Sequence, residues 1–171
     1  MTLRSFPAPS AVLEGGLLAG SLDIGAAALI YGRSPVRILH NIASGLVGAA
    51  AFRGGAADAL LGLALQWLMS LLIAALYGLA TMPLPALRRR WGWGGALAGA
   101  VIFLVMNFLV LPLSAAPVSL ADILASFTAR KVLENLAAML VFGWIIALAA
   151  ARAERPTGGA APGARGDASA G

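Results

Sequence analysis

The stretch ADALLGLALQWLMSLLIAALYGLA, Ala57–Ala80, decides the fold: a single charge, Asp58, stands at its start and apolar residues dominate the rest. A helix rises 1.5 Å per residue, so about 20 apolar residues cross a hydrocarbon core of about 30 Å. Three further blocks of this kind flank it, at about 11–31, 94–113 and 132–151. The composition agrees: 60% of the 171 residues are hydrophobic and 11% charged, and mean hydropathy is +0.89, whereas a soluble domain carries roughly 25% charged residues. The expected fold class is an all-α membrane protein with four transmembrane helices. Its membrane domain covers 11–151, after an N-terminal cytoplasmic segment 1–10 and before a tail, 152–171, that has little to bury and is expected to be disordered. Arg4 ahead of an apolar run raises the question of a cleaved leader, but Glu14 and Asp23 interrupt that run and it continues to Tyr31, so it is read as a span.

Between the spans lie two segments of different character. Ser34-Pro35 offers an N-cap followed by proline at the first helical position, opening a helix over about 35–52. Ile38, Leu39, Ile42, Leu46 and Ala49 fall on one side of it and Arg37, Asn41, Ser44 and Gly48 on the other, the pattern of an interfacial or re-entrant amphipathic helix. Ser119-Leu-Ala-Asp122 resembles a capping box opening a second amphipathic helix over about 119–130, with Leu120, Ile123, Leu124 and Phe127 on one side.

The basic residues stand at the ends of apolar blocks. Arg88, Arg89 and Arg90 beside Trp91 and Trp93 mark a cytoplasmic boundary. With Arg4, Arg152, Arg155 and Arg165 on the same side, both termini are expected in the cytoplasm of a bacterium whose inner membrane holds the protein. Net charge +5 and pI ≈ 11.1 form no basic face, so nucleic acid is excluded as a partner and the lipid bilayer expected. GGLLAG (Gly15–Gly20) and GGALAG (Gly94–Gly99) each open an outward-going span, which admits a 2+2 tandem repeat of helical hairpins. Glycine- and alanine-rich helices also produce such matches by chance.

Asp23 is the most informative residue, because an aspartate near mid-helix costs about 2.5 to 3.5 kcal/mol in lipid and must face protein or water. Gly16, Gly20, Asp23 and Ala27 share one face, and Gly16 with Gly20 makes the small-xxx-small pattern of helix packing. On the second span Asp58, Gly62, Gln66, Ser70 and Tyr77 form a polar stripe that needs partners and is expected to meet the Asp23 face. On the third, Asn107 flanks the face carrying Gly95 and Gly99; Glu134 and Asn135 begin the fourth. Asp23, Gln66, Ser70, Asn107, Glu134 and Asn135 are the candidate polar interior, and all of these except Ser70 are expected to share an outward-facing pocket with His40 over its mouth. Gly16, Gly20, Gly62, Gly95 and Gly99 are the candidate packing positions. Each polar group also has a plain structural reading: Asp23 and Gln66 as interhelical glue, Glu134 neutralised by Arg130 and Lys131.

One histidine and no cysteine leave no conventional zinc or haem site, and no cofactor or metal is expected. Neither a nucleophile elbow nor a phosphate-binding loop is present, so enzymatic activity is not expected. The segments GSLDIGAAAL (Gly20–Leu29), SPVRILHNIASGLVG (Ser34–Gly48), AFRGG (Ala51–Gly55), ALLGLALQ (Ala59–Gln66) and MNFLVLPLS (Met106–Ser114) together resemble a family of uncharacterised small bacterial four-helix inner-membrane proteins, with a more distant similarity to the YagU family. The resemblance spans roughly residues 15–150. It implies an inner-membrane location and four helices and carries no established activity. In the closer group a histidine often stands where this chain has Gln66, so a titratable role at that position does not carry over. The functional expectation is movement of a small solute or proton through a polar bundle interior. The rivals are a structural or assembly protein, compatible with a homo-oligomer, and a proton-coupled exporter like the small multidrug-resistance proteins, whose signature is missing.

Overall fold

The computed structural model describes residues 8–126 and 128–153, all helix, turn or loop. Four helices are long and apolar enough to cross a membrane, Pro9–Tyr31, Ala56–Thr81, Trp91–Leu113 and Ala129–Arg152, the pattern of a multi-pass membrane protein. We label the helices α1 (Pro9–Tyr31), α2 (Pro35–Val47), α3 (Ala56–Thr81), α4 (Pro85–Arg89), α5 (Trp91–Val105), α6 (Leu111–Leu113), α7 (Leu120–Ser126) and α8 (Ala129–Arg152).

Local chemistry sets most boundaries. Pro9, Pro35 and Pro85 each sit in a first helical turn, where the missing N–H removes no hydrogen bond. Gly32 ends α1 at φ 58°, a left-handed conformation that lets its N–H reach back to the last turn of the helix. The Ser34 hydroxyl caps α2 by accepting from the Arg37 N–H. That helix ends at Gly48, φ 63°, and continues as a tight 3₁₀ turn, Gly48–Phe52, so the expected helix over 35–52 is two pieces. In the third span Pro112 can neither donate to the ladder nor tolerate the carbonyl four residues earlier. The helix widens into a π turn over Met106–Val110 before closing with α6.

The expected amphipathic helix over 119–130 is shorter than the sequence pattern implied. The capping box forms reciprocally: the Ser119 hydroxyl accepts from the Asp122 N–H, and the Asp122 carboxylate accepts from the Ser119 N–H at 2.8 Å. It opens only α7, because Thr128 caps a new helix by accepting from the Lys131 N–H. The fourth span therefore takes in Arg130 and Lys131. The side chains of Leu120 and Ile123, residue Phe127, and the expected termini over 1–7 and 154–171 lie outside the described residues.

The spans pack as a row. α1 lies between α3 and α8, α5 packs along the other side of α8, and α2 lies against α3. A tandem repeat would make α1 and α5 equivalent, yet α1 is central and α5 lies at the edge. The core is at the Arg88 end of the bundle, where Ala19, Ala74, Tyr77, Phe142, Ile146 and Ala147 meet. Glycines set the spacing. A Cβ on Gly62 would overlap the Leu39 carbonyl of α2, and one on Gly143 would overlap the Gly95 carbonyl and the Gly99 N–H of α5.

Ser44 and Leu46 depart from the amphipathic reading of α2. Ser44, assigned to the polar face, is buried and donates to the Asn41 carbonyl, whereas Leu46 is exposed. A short hydroxyl satisfied by its own helix can lie at a protein contact, and an exposed leucine suits a surface bathed in lipid.

Candidate functional site

Asp23 sits where α1 meets both α3 and α8. On the α3 side the Gln66 Nε2 donates to its Oδ2 at 2.9 Å and lies 3.4 Å from the Gly20 carbonyl. One turn along α3, Ser70 donates to the Gln66 carbonyl at 2.7 Å and is buried against Gly20, where a Cβ would strike its side chain. The adjoining Trp67 indole N–H donates to the Ser21 hydroxyl at 3.1 Å. Of the α3 stripe, Gln66 and Ser70 meet the Asp23 face of α1, whereas Gly62 admits α2, Tyr77 enters the core and Asp58 lies against Gly54 at the start of the helix.

On the α8 side Asp23 lines an apolar groove of about 120 Å³, walled by Ala19, Leu22 and Ala26 of α1 and by Ala138, Val141, Phe142 and Ile145 of α8. Leu22 and Val141 are about half exposed and flank its mouth. Asp23 itself is half-buried. Among the described residues no basic side chain reaches it, and Gln66 is its hydrogen-bond partner. The walls supply hydrocarbon, and the carboxylate supplies the polarity.

The other candidates lie elsewhere. Asn107 donates to the Phe103 carbonyl of its own helix at 2.8 Å, at the π turn. Asn135 donates to the Tyr31 hydroxyl at 2.9 Å and to the Lys131 carbonyl, tying α8 to the end of α1. Glu134 pairs with Arg130 at 2.7 Å on an exposed surface, the plain reading of that residue. His40 lies 2.8 Å from the Gly55 carbonyl, bridging α2 to the start of α3. The expected pocket shared by Asp23, Gln66, Asn107, Glu134 and Asn135 does not form: Asp23, Gln66 and Ser70 come together, Asn107 bonds within its own helix, Glu134 pairs with Arg130, and Asn135 bridges to the end of α1. Helical spacing gives a residue's direction on its own helix but not the rotation of that helix against its neighbours.

At the opposite end, Arg89, Arg90, Trp91 and Trp93 are exposed, consistent with an interface. Arg88 turns inward, donating to the buried Thr81 hydroxyl at 2.6 Å beside a cavity of about 20 Å³ between α1, α3 and α8, large enough for a single water. Thr81 in turn donates to the Gly78 carbonyl, and Tyr77 to the Leu87 carbonyl. Thr81, Ser21, Trp67 and Tyr31 were not singled out by sequence. Gly143 was also missed, although Gly143 and Ala147 form a small-xxx-small pair that signals a packing face.

Among the described residues no cluster of three histidine, cysteine, aspartate or glutamate side chains could hold a metal ion. Comparisons with protein-family profiles, curated proteins and solved structures found no match.

Proposed function

We propose that this chain is a multi-pass protein of a bacterial inner membrane, with both termini cytoplasmic, that moves protons or a small solute by way of Asp23. α2 and α7 would lie in the interface on the far side. One observation carries the reading: a mid-span carboxylate, bridged to α3 by a neutral amide and without a basic partner among the described residues, borders a groove between α1 and α8. A carboxylate whose partner is an amide can exchange a bound proton or cation without breaking a salt bridge. The sequence suggested a path through a polar interior, and the scattered positions of Asn107, Glu134 and Asn135 favour the α1/α8 groove instead.

Purified protein in liposomes with an entrapped pH dye, under a potassium diffusion potential, tests this. Wild type should move protons faster than protein-free liposomes, and Asp23→Asn should return the rate to that background. An Asp23→Asn rate equal to wild type, or a wild-type rate equal to background, overturns the reading.

The second reading is a structural lock, favoured by the 2.9 Å bond from Gln66 together with the seating of Ser70 against Gly20. Asparagine still offers an oxygen to the Gln66 amide. The lock therefore predicts that Asp23→Asn is tolerated and Asp23→Leu loosens the helices.

A further inference from the structure

The groove beside Asp23 restricts what a ligand could be. Its mouth, between Leu22 and Val141, opens on the side of the bundle and not at an end. Asp23 is fourteen residues after Pro9 and eight before Tyr31 in α1, which puts it within about 5 Å of the middle of the helix at 1.5 Å per residue. A ligand reaching it from the side comes through hydrocarbon and must partition there.

Charge narrows the class further. Asp23 is the one ionisable residue lining the groove, so an anion is repelled and a dication is left half compensated. A bare metal ion is disfavoured as well, since hard cations need about six oxygen ligands on leaving water and Ala26, Ala138, Val141 and Phe142 supply none. An organic cation needs no such shell, because its charge is spread over carbon-bound hydrogens that hydrocarbon walls can face. The size is also restrictive: about 120 Å³ is close to the roughly 150 Å³ apolar cavity that admits benzene. One ring or one small quaternary head fits, with any remainder left in the bilayer.

We propose that the α1/α8 groove is a binding site for a lipophilic organic monocation, which enters laterally from the bilayer and pairs with the Asp23 carboxylate. This deepens the reading of Asp23 as the exchanging group by naming its solute class.

Benzyltrimethylammonium and its neutral carbon analogue neopentylbenzene are suitable probes, measured by equilibrium dialysis against full-length protein in lipid nanodiscs. Radiolabelled benzyltrimethylammonium should bind wild type saturably at one site per chain, with neopentylbenzene a poor competitor. Asp23→Asn should weaken binding at least about tenfold. Ala138→Phe, which fills the groove from α8 and leaves the Asp23–Gln66 pair in place, should do the same and guards against a folding defect in the first variant. Absent wild-type binding, equal binding by both variants, or equal competition by the neutral analogue overturns the proposal. The proton-flux assay separates the two claims. Flux without cation binding sinks the solute class and leaves the carrier, whereas cation binding without flux leaves a site and removes the carrier.

Discussion

Between α1 and α3 the helices approach at Gly16 and Gly20, and side chains then bridge the seam: Gln66 to Asp23, Trp67 to Ser21, and Ser70 against Gly20. Between α5 and α8 the approach is closer and barer. Gly99 faces the Met139 carbonyl and the Leu140 Cα, Gly143 faces the backbone of Gly95 and Gly99, and the Trp144 indole donates to the Gly92 carbonyl only at the seam's end. Lipid tails are as apolar as leucine, so helices associate in a bilayer through packing and hydrogen bonds rather than through water release. One hairpin relies on shape along all but its end. The other gives up some closeness for polar groups, and its carboxylate lies beside the groove. The difference is where a functional group can be afforded: a seam closed backbone to backbone has no room for one.

The largest effect should come from breaking the bare seam. Gly143→Ala puts a methyl group where the Gly95 carbonyl and Gly99 N–H now lie, and backbone on both sides cannot yield. We expect a loss of about 3 kcal/mol or more, read as collapse of the folded fraction in detergent thermal melts. Gly20→Ala is the matched change in the other seam. There the nearer obstacle, the Ser70 hydroxyl, can rotate away, and the Ser70 Cβ requires only a small shift of the helix, so the loss should be about 1 kcal/mol. Equal losses would show that the two seams are not held differently.

Asp23 and Gln66 sharpen the comparison at the next level. A double-mutant cycle of Asp23→Leu and Gln66→Leu, followed by unfolding in mixed micelles, should give a coupling of about 0.6 kcal/mol and at most about 1.7 kcal/mol, the range for interhelical hydrogen bonds in membranes. Asp23→Asn should keep most of that coupling. If it unfolds the protein as Asp23→Leu does, an acceptor oxygen for the Gln66 amide is not enough and the seam depends on the carboxylate itself.

The four spans were legible because hydropathy and length are properties of each helix alone, and the expected blocks agree with the helices to within about three residues. The Asp23–Gln66 meeting was legible for a related reason: a polar stripe in a lipid-length helix has nowhere to go but another polar face. The shared pocket was not. Asn107 bonds back to the Phe103 carbonyl four residues earlier in its own helix, and helical spacing does not say whether an amide turns to its own backbone or to a neighbour. The start of the fourth span was misjudged because Thr128 caps a helix whose first turn is charged, so hydropathy begins three residues later than structure. The lateral groove had no sequence signal at all, since it exists only once α1 and α8 are placed side by side.

Single hydrogen bonds give smaller tests. Trp144→Phe removes the indole bond from α8 to the Gly92 carbonyl and should cost about 1 kcal/mol, whereas Trp67→Phe, whose partner Ser21 is exposed, should cost about 0.5 kcal/mol or less. Thermal melts of the two variants side by side would test the ranking. A reversed order would mean that the α1/α3 seam depends on its polar bonds more than on its glycines.

The smallest effect belongs to the connectors. α2 is fastened to α3 at Gly62 and by His40 at Gly55, whereas among the described residues α7 shows no comparable fastening beyond its own cap. The Ser119 hydroxyl and N–H hold the Asp122 carboxyl below its usual range. Its folded pKa being the lower one, the cap contributes fully above the ordinary carboxylate pKa and is lost as pH falls through the depressed value. The protection factors of Ser119 and of the α7 amides, after division by the intrinsic exchange rate at each pH, should therefore fall on acidification, and Asp122→Asn should remove much of the pH response while leaving α2 and the four spans unchanged. Acidification that loosened α2 in step with α7 would show that the two hairpin connectors are held alike, and the contrast between a docked and a self-capped connector would fail.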